Sequence, residues 1–281
     1  MRLLITGAAG MLGRDVADAA RRGGHDVVAL ARADLDVTDA AAVRAAVAAA
    51  RPDAVVNCAA WTDVDGAESA EDRATAVNGE GAGHVAAAAA AVGAFTVAVS
   101  SDYVFDGAAR EPYTESAATA PLGAYGRSKL AGEHAVAAAA PDLHAIVRTS
   151  WLFGAHGPNF VATMLRLAHE RDELTVVDDQ VGCPTFTGHL APALLSIARY
   201  RRPGILHVAG SGCCSWWDLA RATFERAGHD VRIHPGRTED LGRPAPRPAW
   251  SALGTERADT PVLPAWQDGL DAYLECVGVL A

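Results

Sequence analysis

Three glycines at three-residue intervals, Gly7, Gly10 and Gly13, stand directly behind the apolar run Leu3-Leu4-Ile5 and directly before an alanine-rich segment reaching about Arg22. Few folds satisfy that order. The run is short enough for a buried strand, and the segment after it has helix-forming composition. Glycines at the junction let the backbone turn tightly and approach a bound group. A helix starting there offers free N–H groups and the positive end of its dipole to an anion. Strand, glycine turn, helix is the context in which such a pattern reads as a dinucleotide site. The spacing G-x-x-G-x-x-G differs from the commoner G-x-G-x-x-G, and a tight turn without a ligand is the competing reading. The position straight after the first strand favours the cofactor, with Gly7, Gly10, Met11, Leu12 and Gly13 in contact with it.

The alternation then repeats. Strands are expected at Asp26–Leu30, Ala54–Cys58, Phe95–Val99 and His144–Thr149, separated by helical segments to about Ala50, from about Ala74 to Val92, and from Tyr125 to about Ala140. This predicts an α/β fold, a Rossmann-type doubly wound parallel sheet with right-handed crossovers. After Trp151 the regularity changes. Helices are expected at Asn159–Arg171, His189–Tyr200, Ser215–Ala227 and Trp266–Val277, a strand at Leu174–Val177, a further parallel strand at Gly204–Val208, and a loop at Pro235–Pro248. Residues 1–150 are thus read as an NAD(P)-binding domain, completed by a strand near 204–208. Residues 151–281 are read as mainly a smaller α+β substrate-binding domain.

In an open parallel sheet, ligands bind outside the carboxyl ends of the strands. The second strand runs into Ala31-Arg32, where an NAD-selective site often has an acid. An arginine there can pair with a 2′-phosphate, which favours NADPH, with NADH possible. The turn at Asp36-Val37 can hold the adenine. Ala59, Ala60 and Thr62 leave room behind the third strand, and the fourth delivers the hydroxyl of Ser101. Tyr125 and Lys129, four apart, share one helix face. A phenol beside an ammonium can be tuned below its ordinary pKa of about 10. It can then give a proton to a carbonyl oxygen. The polar stretch from Gly107 to Pro121 can cover such a site.

Composition narrows the alternatives. With 24 basic and 34 acidic residues among 281, the net charge of -10 argues against a nucleic-acid partner. No segment approaches the ~18 continuous apolar residues of a membrane span. The opening residues reach Thr6-Gly7 too soon for a signal peptide's apolar region. Cys58, Cys183, Cys213, Cys214 and Cys276 are odd in number and form no C-x-x-C, which fits a reduced cytoplasmic setting. The ten histidines show no zinc spacing, and no catalytic metal is expected.

The chain resembles the extended short-chain dehydrogenase/reductases that act on sugar nucleotides, and more closely the dTDP-4-dehydrorhamnose reductases. The residues that carry the resemblance are Thr6–Gly13, Asn57–Glu68, Ser101-Asp102-Tyr103-Val104-Phe105, Tyr125–Lys129, Arg148-Thr149-Ser150-Trp151, Asp179–Thr185 and Arg247-Pro248. The resemblance implies NADPH-dependent reduction of the C4 keto group of a dTDP-4-keto-6-deoxyhexose. It implies Tyr125 as proton donor, Lys129 on the nicotinamide ribose, and Ser101, in place of a commoner threonine, on the keto oxygen. Asp102 would contact the sugar, Trp151 would pack against it, and Arg247 would lie near the diphosphate. Val64, Tyr103 and Gln180 complete the implied substrate site. Some members hold magnesium at a dimer interface through acidic residues. Asp15 matches one of these, but the region around Gly188 and the C-terminal helix lack the others, so no metal is carried over. A monomer or homodimer is expected.

Two other classes fit parts of this pattern. A sugar-nucleotide epimerase or dehydratase uses the same Tyr/Lys pair, but a dehydratase places an Asp-Glu pair where this chain has Asp102-Tyr103. An epimerase would turn over with no net loss of NADPH. A non-catalytic relative, like the regulatory partner of methionine adenosyltransferase, is disfavoured by the intact Ser101, Tyr125 and Lys129.

Overall fold

The computed structural model describes residues 1–280. Its first half alternates β1 (Arg2–Thr6), α1 (Met11–Arg22), β2 (Asp26–Leu30), α2 (Ala40–Ala50) and β3 (Ala54–Asn57). Two short helices, α3 (Val64–Ser69) and α4 (Glu71–Thr75), lead through a π-turn at Ala76–Glu80 into α5 (Gly81–Ala91). Then come β4 (Phe95–Ser101), α6 (Ala124–Ala139) and β5 (His144–Thr149). The second half contains β6 (Leu152–Phe153), α7 (Phe160–Ala168), β7 (Glu173–Val177), β8 (Val181–Gly182), β9 (Thr185–Phe186), α8 (Thr187–Tyr200) and β10 (Gly204–His207). It closes with β11 (Cys214–Ser215), α9 (Trp216–Ala227), β12 (Arg232–Gly236) and α10 (Trp266–Cys276).

The main sheet has six strands in the order β10-β5-β4-β3-β1-β2, all parallel. Successive residues of β1 point to opposite faces, and both faces are covered, as a parallel sheet requires. Leu3 and Ile5 pack with Leu190, Leu194 and Ile197 of α8 and with α1. Leu4 packs on the other face against Val43 and Val47 of α2 and Val85 of α5. A separate core lies in the second half, where Phe153, Leu219, Trp266, Leu270 and Tyr273 meet.

The structure corrects several boundaries. The helix expected from Ala74 begins at Glu71 and is interrupted by the π-turn that carries Asn78. The segment expected to be a loop from Pro235 starts inside β12, which pairs in parallel with β7. The stretch from Gly107 to Pro121 is tied to the second half of the chain through Tyr113. Tyr113 stacks on Phe105 at 4.2 Å, and its backbone bonds to Ala252 and Gly254. Among the described residues, no helix is long and apolar enough to cross a membrane.

Candidate active site

The direction of winding reverses between β1 and β3, and a crevice opens there beyond the strand ends. Gly7 follows β1 with φ +64°, a conformation costly for any other residue. A Cβ on Gly7 would lie 2.6 Å from the Ala59 amide, so only glycine lets the two loops touch. Gly10 precedes α1 without a side-chain cap, which leaves the first-turn amides around Met11 and Leu12 open to an anion. Gly13 packs against the Gly7 carbonyl, where a Cβ would approach to 2.3 Å. Arg32 is exposed just beyond β2, while Asp36 folds back to accept from both the backbone and hydroxyl of Thr38. Val37 is buried, with its carbonyl bonded to His84. Ala59 and Ala60 are half-buried and Thr62 is exposed on the β3 side of the crevice. These groups form a cradle whose backbone donors and small residues fit a dinucleotide.

Asn78 was not expected to take part. Its side chain accepts from the Trp61 amide at 2.8 Å, donates to the Trp61 carbonyl at 3.0 Å and donates to Ser128 at 2.9 Å. The π-turn aims this amide inward, and so ties the loop after β3 to α6. π-Bulges recur at functional sites for this kind of reason.

The proposed chemistry gathers where β4 and α6 meet. Ser101 ends β4, and Tyr125 lies in the first turn of α6. That first turn lacks its own cap, and Glu68 of α3 supplies one by accepting from the Ala124 amide at 2.8 Å. Lys129, one turn on, is buried and donates to the Val99 carbonyl at 2.7 Å. Burial pulls its ammonium down to about 8, opposed by the charge of Glu133. Burial pushes the Tyr125 phenol up to about 12, partly offset by the Ser101 hydroxyl. The expected depression of the phenol by Lys129 is therefore not what governs it here: the ammonium is committed to strand β4. Tyr103 meets Tyr125 edge to face at 5.7 Å.

Asp102 is the most unusual carboxylate of the site. Ser101 donates to its Oδ1 at 2.9 Å, while Oδ2 is buried without a partner. Burial pushes it up to about 6 from 3.8, with the nearby hydroxyls of Ser251 and Ser101 working against it. The folded-state value lies above the unfolded one. Its contribution to stability is thus full below about pH 4 and is lost as pH rises through 6. Asp102→Asn does not ionise, and is expected to be more stable than the wild type at pH 8 by on the order of 2 kcal/mol. The two should converge at pH 4. Urea unfolding at both pH values checks this, and equal stability at pH 8 would contradict it.

Trp151 follows β5 with φ +48°, an uncommon conformation for a bulky side chain. Its indole lies parallel to Trp216 at 3.5 Å, and a Cβ at Gly182 would reach it at 2.4 Å. Trp216 in turn donates to Gln180, which donates to Thr238. Gln180 is buried, so it orients the tryptophan pair rather than lining open space. Trp216 was missed, although the Ser215-x-x-Asp218 capping box fixes its place at the start of α9.

Val64 opens α3, and Asp65 beside it receives Arg247 at 2.9 and 3.0 Å, Arg243 at 3.1 Å and the Ala245 amide at 3.2 Å. The Arg247 hydrogen bonds, with help from the other donors, hold Asp65 down to about 2. Arg247 is thus anchored rather than free, which its isolated position in the sequence gave no means of seeing. Among the described residues, no group of three or more His, Cys, Asp or Glu side chains is placed to hold a metal ion.

Residues 1–278 match the family described as the RmlD substrate binding domain. The chain is similar to a dTDP-4-dehydrorhamnose reductase from Streptomyces griseus, with 50% identity over 91% of this chain and 86% of the relative. It is similar to a dTDP-4-keto-6-deoxy-D-glucose reductase from Streptomyces niveus, with 47% identity over 90% and 88%. Among solved structures it resembles a dTDP-4-dehydrorhamnose reductase from Bacillus anthracis in complex with NADP. There the TM-score is 0.95 and the identity 38%, covering 98% of each chain.

Proposed function

The chain belongs to the RmlD substrate binding domain family, and from that premise we propose that it is an NADPH-dependent reductase of the C4 keto group of a dTDP-4-keto-6-deoxyhexose. The similarity to the Streptomyces griseus reductase favours dTDP-4-dehydro-L-rhamnose as substrate, giving dTDP-L-rhamnose. The observation that carries this reading is the meeting of Ser101, Tyr125 and Lys129 at the same strand-end crevice as the Gly7–Gly13 turn. Beside them, the partnerless Oδ2 of Asp102 is a buried acceptor that a sugar hydroxyl would satisfy.

When bound, NADPH would supply the hydride for C4. Negative charge then builds on the keto oxygen, where Ser101 donates a hydrogen bond and Tyr125 gives its proton. A phenol held near 12 stays protonated at neutral pH until that charge appears. Lys129 keeps two N–H donors beyond the one given to Val99, and with them would hold the nicotinamide ribose and stabilise the phenolate that remains. The Gly7–Gly13 turn and the first turn of α1 would hold the pyrophosphate of the cofactor, Ala59, Ala60 and Thr62 would line the crevice around it, and Asp36 with Val37 would border the adenine. Trp151, set by Trp216, forms a wall for the sugar. Val64 and Tyr103 flank it, and Arg247 receives the diphosphate. Residues 1–150 with β10 make up the cofactor-binding domain, and most of the remainder makes up the substrate domain. Every group named belongs to one chain, so a monomer or a homodimer would house the whole site. The free cysteines suit a reducing cytoplasm.

Incubation with NADPH and a dTDP-4-keto-6-deoxyhexose should consume one reduced cofactor per product sugar. Product formation without cofactor loss would make the protein an epimerase, and no turnover across dTDP-keto sugars would favour a non-catalytic role. The similarity to the Streptomyces niveus reductase supports a second substrate, dTDP-4-keto-6-deoxy-D-glucose. Identification of the product decides between the two.

Arg32 reads as the contact to the 2′-phosphate. Arg32→Ala is expected to raise KM for NADPH about tenfold or more, the scale of a lost charge-assisted hydrogen bond, while leaving kinetics with NADH nearly unchanged. Equal efficiency with the two cofactors, unaltered in the variant, would refute the assignment.

A further inference from the structure

A guanidinium carries five N–H donors in a planar arrangement. In Arg247, Nη1 and Nη2 reach the two oxygens of Asp65 at 2.9 and 3.0 Å, and Nη1 also donates to the Ala245 carbonyl at 2.8 Å. Three donors are thereby used. The two that remain, on Nε and on the outer side of Nη2, lie next to each other on one edge of the plane. That is a second fork, spaced for two oxygens of a phosphate. Asp65, by contrast, is saturated: Arg243 and the Ala245 amide occupy the lone-pair sites that Arg247 leaves. Arg247 is largely buried, with 15% of its side chain exposed, whereas Arg243 is 58% exposed. Asp65 itself stands on α3, whose next turn caps α6 through Glu68. The arginine and the helix carrying Tyr125 are thus referenced to the same short element.

We propose that Asp65 is a positioning residue for the substrate: it clamps the end-on fork of Arg247 so that the side-on fork stands open for a nucleoside diphosphate. Asp65 does not touch the diphosphate, and its effect passes through Arg247. The proposal rests on the reading of Arg247 as the diphosphate contact.

The test is dTDP binding by calorimetry to protein saturated with NADPH, together with steady-state kinetics. Asp65→Asn keeps the shape but loses the charge and one acceptor. It is expected to weaken dTDP about tenfold and to raise KM for the sugar nucleotide with kcat held within about twofold, while the Kd for NADPH is unchanged. Asp65→Glu keeps the charge but moves it by a methylene, and should fall between. In an Arg247→Ala background, which is itself expected to bind dTDP poorly, Asp65→Asn should add almost nothing. A merely structural role would add its full effect there. If Arg247→Ala weakens dTDP but both Asp65 variants bind it as the wild type does, or more tightly, the clamp is overturned and the diphosphate reading stands. If Arg247→Ala leaves dTDP binding intact, the reading of Arg247 falls and the proposal falls with it.

Discussion

Tyr125→Phe is expected to lower kcat by about two to four orders of magnitude, the usual scale for removing a general acid. KM for the sugar nucleotide and the unfolding midpoint should move little. The ring sits half-buried at the start of α6, and its edge-to-face contact with Tyr103 at 5.7 Å needs no hydroxyl. Only the oxygen is lost, and with it the proton that the proposed mechanism delivers to the keto oxygen. Pre-steady-state mixing with NADPH separates this from a binding defect. A variant that binds both ligands normally but oxidises cofactor slowly supports the assignment. Turnover near the wild-type rate would remove Tyr125 from the chemistry and leave Ser101 as the remaining hydroxyl at that place.

The second large effect concerns stability. Glu133 lies on α6 one turn beyond Lys129, and Arg148 reaches it from β5 with Nε at 2.9 Å and Nη2 at 2.6 Å. Side-chain exposures of 3% and 4% put the pair deep inside. Ser100 donates to Glu133 at 2.5 Å, and Arg148 Nη1 lies 3.3 Å from His207 Nε2. His207 Nδ1 faces the carbonyls of Tyr113 and Gly254, so that nitrogen carries the proton and Nε2 accepts from the arginine. Burial keeps His207 below its ordinary range and hence neutral at pH 7. Arg148→Met strands a buried carboxylate and is expected to cost about 3–5 kcal/mol. Adding Glu133→Gln should restore most of that, because replacing both charges avoids the uncompensated one. Equilibrium urea unfolding of the single and double variants measures both. A loss below about 1 kcal/mol in Arg148→Met would mean that the pair contributes little to stability.

What could be read in advance followed from local rules. The strands of the main sheet are short apolar runs with helices between them, and their order in the chain leaves few ways to stack them. The glycine turn was legible because Gly7 and Gly13 are needed for contacts fixed by the strand before and the helix after. Tyr125 and Lys129 were legible because four-residue spacing sets a helix face. The same logic extended one more turn would have reached Glu133, whose partner Arg148 stands in the next strand. α3 and α4 were not legible. Their buried side chains are few, chiefly Ala67 and Ala74, and they are held by charged groups from far along the chain, such as Arg127 on Glu71 and Arg247 on Asp65. β12 was hidden by Pro235, which is tolerated because a strand in a two-stranded pair has a free edge. The phenol of Tyr125 moved opposite to expectation. Sequence spacing brings Lys129 near it, whereas the fold gives that ammonium to Val99 and draws the phenol out of water.

The position of β10 has a consequence for how the molecule is made. The main sheet takes its last strand from residues 204–207, next to β5 at residues 144–149. A ribosome therefore exposes β5 as an unpaired edge while some fifty further residues are synthesised, a delay of several seconds at about 5–20 residues per second. During that interval Arg148 and Glu133 lack the covering histidine, and α8 has not yet closed over Leu3 and Ile5. The growing chain carries a sticky border that only its own later residues can seal. Slow synthesis through 150–207 would lengthen its exposure to chaperones and to aggregation alike.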